Sequence, residues 1–393
     1  MKQKFLALIA LVGASVVGVP WPSLAEPPLR IGASLSLTGK DALQGGYGRE
    51  GYLLCQKQVN QKGGVLGRSI AFVIEDDASD EKTAVRLYEK LITEEKVDAV
   101  LGPYGGLTTD AVADVTEKHR KLMIAPFAAA SSIWEKGRRY LVMVLSPSEA
   151  LPEGVLDLAA RHGLKTLAVL NEDVLGGKAV AKGAIELAKK KGLQLVFSET
   201  YPKGTVDFSG MLNQVKAAKP DVLVVASVVL DNLVAITRQM KELDLNVKML
   251  SSLFYGALPD YYQRLGKPAE YVYSGSFWGR GLLYPGNQEF VTAYEQEFNR
   301  APILQSANGY AGCQLFVQAV RQVGSLDSDK LREALLTLRT KTVIGDFAID
   351  ERGFQIGHKA IAIQWQDGKQ VVVWPDEVAS GKPRFPTPPW GQR

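Results

Sequence analysis

Cysteine and histidine are scarce: the 393-residue chain has two of the former and three of the latter. Cys55 and Cys313 lack the short paired spacing of a metal site, and none is expected. His119, His162 and His358 are isolated, with neither triad nor ligand spacing. Charge of one sign is equally scarce. The formal net charge is +4, and loss of Lys2 and Lys4 with a leader would leave 4 − 2 = +2. That excess is too small and too scattered to indicate a nucleic-acid partner. Lys189-Lys190-Lys191 reads as a solvated helix end. The opening strand lacks G-x-G-x-x-G: after Leu37 come Thr38-Gly39-Lys40-Asp41-Ala42-Leu43. No nucleophile–base pair or acid pair stands out either, so no enzyme and no cofactor are expected.

Residues 1–25 read as a secretory signal, with Lys2 and Lys4 as the charged start and Phe5 to Val19 as the apolar segment. Ser23-Leu24-Ala25 is a small-x-small cleavage site. An uncleaved anchor is the alternative, but Gly13, Ser15, Gly18 and Pro20 interrupt a run already short for a spanning helix. No cysteine follows for lipid attachment, and no second segment is read as membrane-spanning. Cleavage after Ala25 and export are therefore expected. Export permits a disulfide between Cys55 and Cys313, but sequence cannot supply the Cα separation that one requires. Two separate small buried residues are the favoured reading.

What is present is ordinary globular balance, 46% apolar and 22% charged, over a length that one core does not normally span. Two lobes are the default. Leu29 to Leu37 alternates like a strand. A helix follows Gly45-Gly46-Tyr47-Gly48 and ends at Asn60-Gln61-Lys62-Gly63-Gly64. Ser69 to Ile74 is a second strand, completing a βαβ unit. Alternation continues to a strand at Tyr140 to Leu145, with Thr108 or Thr109 expected to cap the helix after Gly105-Gly106. Ser146-Pro147-Ser148 reads as a crossing into a second lobe, where the pattern restarts with a helix from Glu149 to His162. Beyond Tyr273 the chain is expected to return to the first lobe, with helices at 287–299 and 305–323. Residues 347–350 and 360–365 alternate like antiparallel strands, and Gln366-Asp367-Gly368-Lys369 is a hairpin turn.

Several motifs stand in register: Leu37-Thr38-Gly39, Asn60-x-x-Gly63-Gly64-x-x-Gly67-Arg68, Asp76-Asp77-x-Ser79-Asp80, Val100-Leu101-Gly102-Pro103-Tyr104, Asp207-Phe208-Ser209 and Gly345-x-Phe347. The chain resembles the type I periplasmic binding proteins of the leucine/isoleucine/valine-binding class, receptors of ABC importers. The resemblance implies two Rossmann-like α/β lobes joined by three crossings. Lobe I would be 26–146 plus 275–346, and lobe II 147–274 plus 347–393. It also implies a periplasmic location, a small-molecule ligand closed between the lobes, and an inner-membrane permease as partner.

Open parallel sheets bind ligands beyond the carboxyl ends of their strands, which points to the loops carrying Tyr104, Gly105, Gly106 and Thr108, then Phe127, Ala128, Ala129 and Ser131. In the second lobe the corresponding loops carry Leu175, Val228, Leu253 and Tyr255. The resembled amino-acid binders place hydroxyls where this chain has Gly105-Gly106-Leu107 and Ala128-Ala129, leaving Thr108 and Ser131 as substitutes. Their ammonium-binding acid falls near Leu253, so Asp231 is the carboxylate expected to replace it. Trp278 and Tyr255 are expected to line the cleft. These departures suggest an apolar or aromatic ligand, whose carboxylate backbone N–H groups would hold. Blander roles stand beside these: helix-start stabilisation for Asp231, core packing for Phe127 and Leu253, and packing at a crossing for Trp278. A ligand sensor of the same fold is the alternative to a transport receptor.

Overall fold

Leu29–Leu35 (β1) is buried along nearly its whole length, as an interior strand of a parallel sheet must be. The computed structural model describes residues 26–393, and the expected leader lies outside them. Around β1 are Ile70–Asp76 (β2), Ala99–Leu101 (β3), Met123–Ala125 (β4) and Leu141–Met143 (β5). Their order is β2-β1-β3-β4-β5, all parallel.

The second sheet holds Thr166–Glu172 (β6), Gln194–Tyr201 (β7), Val222–Ser227 (β8), Met249–Phe254 (β9) and Tyr273–Ser276 (β10). They run β7-β6-β8-β9-β10, the same order again. A short ladder of Thr340–Thr342 (β11) and Gly345–Phe347 (β12) stands apart. Ile361–Gln366 (β13) and Lys369–Trp374 (β14) then extend the second sheet antiparallel beyond β10. Asp367 and Gly368, at φ 52° and 73°, form the expected two-residue turn between them.

The motifs hold loops in place. Asp76 accepts from Thr38 Oγ1 at 2.7 Å and from the backbone N–H of Leu37. Burial opposes it, but these bonds keep its carboxyl below the usual range. Buried Asp77 accepts from Ser34 and Ser36, each at 2.8 Å, while its burial pushes the carboxyl up. Asn60 makes a reciprocal amide pair with the backbone of Ile70. The bonds of Asp76 and Asp77 fix the loops after β1 and β2 where the cleft opens, while the Asn60 pair secures the start of β2.

Several expectations need correction. Cys55 and Cys313 are joined in a disulfide with Cα atoms 6.2 Å apart, because helices Ala42–Gln61 and Leu304–Val323 pack along one another. Spacing across 258 residues carries no sign of that packing. The helix expected from Glu149 starts at Glu153, after a 3₁₀ turn at Ser148–Ala150. Residues 347–350 do not join the closing hairpin, since only Phe347 is in a strand and it pairs with Thr340. The expected lobe boundary at 274/275 falls inside β10. Helix Ser328–Thr337, capped by Asp327, went unread.

Candidate functional site

Because both sheets share one strand order, each has a switch point where connections diverge to opposite sides, between β1 and β3 and between β6 and β8. The loops at these carboxyl ends face each other across one cavity of about 210 Å³. An engineered cavity of about 150 Å³ lined by apolar side chains admits benzene, so there is room here for a single-ring solute.

The first-lobe wall is mostly backbone and aromatic. Tyr104, Gly105, Gly106 and Thr108 line it after β3, and Phe127, Ala128 and Ala129 after β4. Gly105 sits at φ 93°, a conformation that strains any residue with a Cβ, and is the N-cap of helix Gly106–Lys118. The expected threonine cap is not used. The first intrahelical bond runs from Thr109 N to Gly105 O at 3.0 Å, leaving the N–H groups of Gly106, Leu107 and Thr108 at a partly positive helix end. Phe127 lies between Tyr52 and Tyr104, with ring centroids 5.6 and 6.1 Å away. A Cβ at Gly48 would come within 2.8 Å of the Phe127 ring, so that glycine makes its seat.

The second-lobe wall is built of side chains. Leu175, Val228 and Tyr255 line the cavity, joined by Glu172, Phe254 and Phe277, none of which the sequence reading selected. Phe254 has φ 65° and ψ −92°, a strained conformation at the end of β9. The Tyr104 and Tyr255 hydroxyls bond to each other across the cleft. Burial pushes both phenols up, so both keep their protons.

Four expected contacts lie elsewhere. Asp231 is on the surface, its side chain 77% exposed and paired with Arg264 at 2.6 Å. It is the first acid of helix Leu230–Glu242, whose start points it away from the cleft. Leu253 is fully buried in the sheet, since side chains alternate along β9 and its neighbour Phe254 reaches the cavity instead. Trp278 donates Nε1–H to Asn287 at 2.7 Å and packs edge-on against Phe290. Ser131 donates to Glu149 at 2.9 Å, just past the cavity edge at Ala130.

Glu172 is the acid the reading missed. It is fully buried at the last position of β6, where Oε2 accepts from Ser227 Oγ at 2.9 Å and Val228 N at 3.2 Å. A carboxylate closing an apolar strand is the available signal. At the mouth, Lys40 and Asp41 come from the first lobe and Lys203 from the second. The Lys40 ammonium, then burial, lowers Lys203, whereas burial raises Asp41 against the pull of both lysines.

Behind the cavity, His358 gathers three connecting segments. Its Nδ1 accepts from Ser146 N at 2.9 Å, and Nε2–H donates to the carbonyl of Phe277 at 3.0 Å. Burial lowers it to about 4, so it stays neutral at ordinary pH. Gln355 adds a bond from Nε2 to Val144 O at 3.0 Å.

Two α/β lobes of like topology enclosing a solute-sized cavity define a ligand-binding protein of the two-lobe class. Comparison with known proteins gives the family: the periplasmic binding protein family model matches residues 28–370, and the chain belongs to that family. Leu/Ile/Val-binding protein homolog 7 of Brucella suis biovar 1 is 27% identical over 398 residues, covering 96% of this chain and 99% of that protein. The branched-chain amino-acid substrate-binding protein LivJ of Streptococcus pneumoniae, solved with isoleucine, superposes with TM-score 0.77. It is 22% identical, covering 91% of this chain and 100% of that one. A solute-binding protein of Rhodopseudomonas palustris BisB5, solved with 3,4-dihydroxybenzoic acid, also reaches TM-score 0.77. It is 23% identical, with 93% and 99% covered.

Proposed function

We propose that this chain is the extracytoplasmic solute-binding receptor of an ABC importer. It captures a small carboxylate-bearing ligand with an apolar or aromatic body and presents it, chemically unchanged, to an inner-membrane permease. The observation that carries this reading is the cavity between the two switch points, with a helix start on one wall and aromatic rings on both. A carboxylate would bind the N–H groups of Gly106, Leu107 and Thr108, and the ring or aliphatic body would lie among Tyr104, Phe127 and Phe254. The relatives support the reading, because their names assign branched-chain amino-acid binding and one neighbour holds a hydroxylated benzoate. Export to the periplasm follows from the leader-like first 25 residues.

Closure about the segments gathered by His358 would signal occupancy, since a ligand shifts an equilibrium only by binding one state better. A thermal-shift screen of protein unfolded and refolded to strip carried-over solute tests the reading. A true ligand at about 100 times its Kd adds ~2.7 kcal/mol and raises Tm visibly. If branched-chain amino acids, aromatic amino acids and aromatic carboxylates all leave Tm unchanged, the reading fails.

A further inference from the structure

Three residues that line the cavity each carry a buried acceptor oxygen with no hydrogen-bond partner among the described residues: Glu172 Oε1, Gln305 Oε1 and Asn308 Oδ1. Their residues are 0%, 3% and 2% exposed. Glu172 stands on the second lobe. Gln305 and Asn308 lie one turn apart at the start of helix Leu304–Val323, which packs on the first lobe. A buried acceptor left unpaired is costly, and a carboxylate oxygen more so than an amide. Several nearby donors are already committed, although the Lys203 ammonium stands within Coulombic reach of Glu172. Tyr104 and Tyr255 bond to each other, and Ser227 and Val228 N–H are committed to the other oxygen of Glu172.

We infer that Glu172, with Gln305 and Asn308, forms a specificity subsite for a ligand head that donates several hydrogen bonds. This rests on the cleft being the ligand site and narrows the ligand class within it. Two kinds of head supply the required chemistry: the ammonium group of an amino acid and the paired hydroxyls of a hydroxylated aromatic acid. An acid of the same size without donors would leave Glu172 unpaired in a closed cavity. Such a site rejects an analogue lacking the polar group far more sharply than an apolar pocket rejects a missing methylene.

Titration calorimetry on the ligand-stripped protein tests this with two matched pairs, L-phenylalanine against 3-phenylpropionate and 3,4-dihydroxybenzoate against benzoate. At least one donor-bearing probe should bind 30-fold or more tightly than its donor-free partner. Glu172→Gln should weaken that probe tenfold or more while moving the donor-free acid less than twofold. The ammonium head should lose more than the hydroxylated one, because Gln keeps an acceptor but loses the charge. Donor-free acids binding the wild-type protein as tightly as their partners overturn the inference and leave the receptor reading standing, and this comparison needs no variant. An unchanged affinity in Glu172→Gln also overturns it. If none of the four probes binds, the subsite inference is overturned, and the receptor reading falls with it only if the branched-chain amino acids also leave Tm unchanged.

Discussion

The two walls of the cleft come from sheets of one strand order yet present different chemistry. The first lobe offers backbone: a helix start at Gly106, alanines at 128–130, and a glycine at φ 93° to aim them. The second offers side chains: Glu172, Phe254 and Tyr255. Backbone donors recognise an anion whatever is attached to it, whereas buried side chains read what the rest of the molecule carries. On the proposed reading the first wall would supply a general grip, and discrimination would fall mainly to the second, with Gln305 and Asn308 of the first lobe joining Glu172. The first lobe also carries a covalent link between helices distant in sequence.

The strongest way to break that contrast is to cut the link. Replacing Cys55 and Cys313 by serine should cost about 2–5 kcal/mol, read by urea denaturation with and without reductant. If the disulfide matters only to the first lobe, ligand affinity measured well below the new Tm should stay within threefold.

Next in size is the joint between the walls. His358→Leu orphans the N–H of Ser146 and the carbonyl of Phe277, at about 1–3 kcal/mol for each buried group left unpaired. His358→Gln retains a donor and an acceptor and should recover much of the loss. The same histidine sets a pH dependence. Its pKa falls to about 4 in the fold from an ordinary 6.5, so below 6.5 the unfolded chain takes up a proton that the folded chain refuses. The stability this group contributes is complete above 6.5 and declines as pH drops towards 4, by up to ~1.4 kcal/mol per pH unit. Urea midpoints at pH 7 and pH 5 measure it, and His358→Gln should remove that part of the slope.

A smaller effect is expected where the walls touch. Tyr104→Phe and Tyr255→Phe each delete one hydroxyl of the inter-lobe bond. Each should weaken ligand binding several-fold, at about 1 kcal/mol for a neutral hydrogen bond. The double variant should cost little more than either single one, because both remove the same bond. Additive losses would show that each hydroxyl serves the ligand separately. The smallest effect belongs to Asp231→Asn: its ion pair with Arg264 is exposed, and such pairs contribute little. Ligand affinity should change less than twofold, and a tenfold loss would place Asp231 in the site after all.

Much of this protein is legible in its sequence. Alternating apolar strands and amphipathic helices set the α/β class, because burying a strand on both faces or a helix on one requires those periods. The glycine and aspartate motifs marked the loops after β1, β2 and β3, since a left-handed turn or a capped carboxylate leaves a local signature. From those loops came Tyr104, Gly105 and Gly106 at the cavity, and from strand-end logic Phe127, Val228 and Tyr255.

The errors share one cause, which is that each depended on where distant segments meet. Asp231 and Glu172 are both acids near strand ends, and only the course of helix Leu230–Glu242 and the last two residues of β6 put one on the surface and the other at the cavity. A one-residue alternation along β9 exchanged Leu253 for Phe254. Gln305 and Asn308 reach the cleft because their helix is packed beside Ala42–Gln61, the same packing that joins Cys55 to Cys313. Sequence determined by itself the elements, their order and the loops able to bind, since periodicity and turn chemistry are local. Tertiary structure alone decided which side chains face the cavity, which cysteines meet and what gathers around His358, since those depend on contacts between residues distant in sequence.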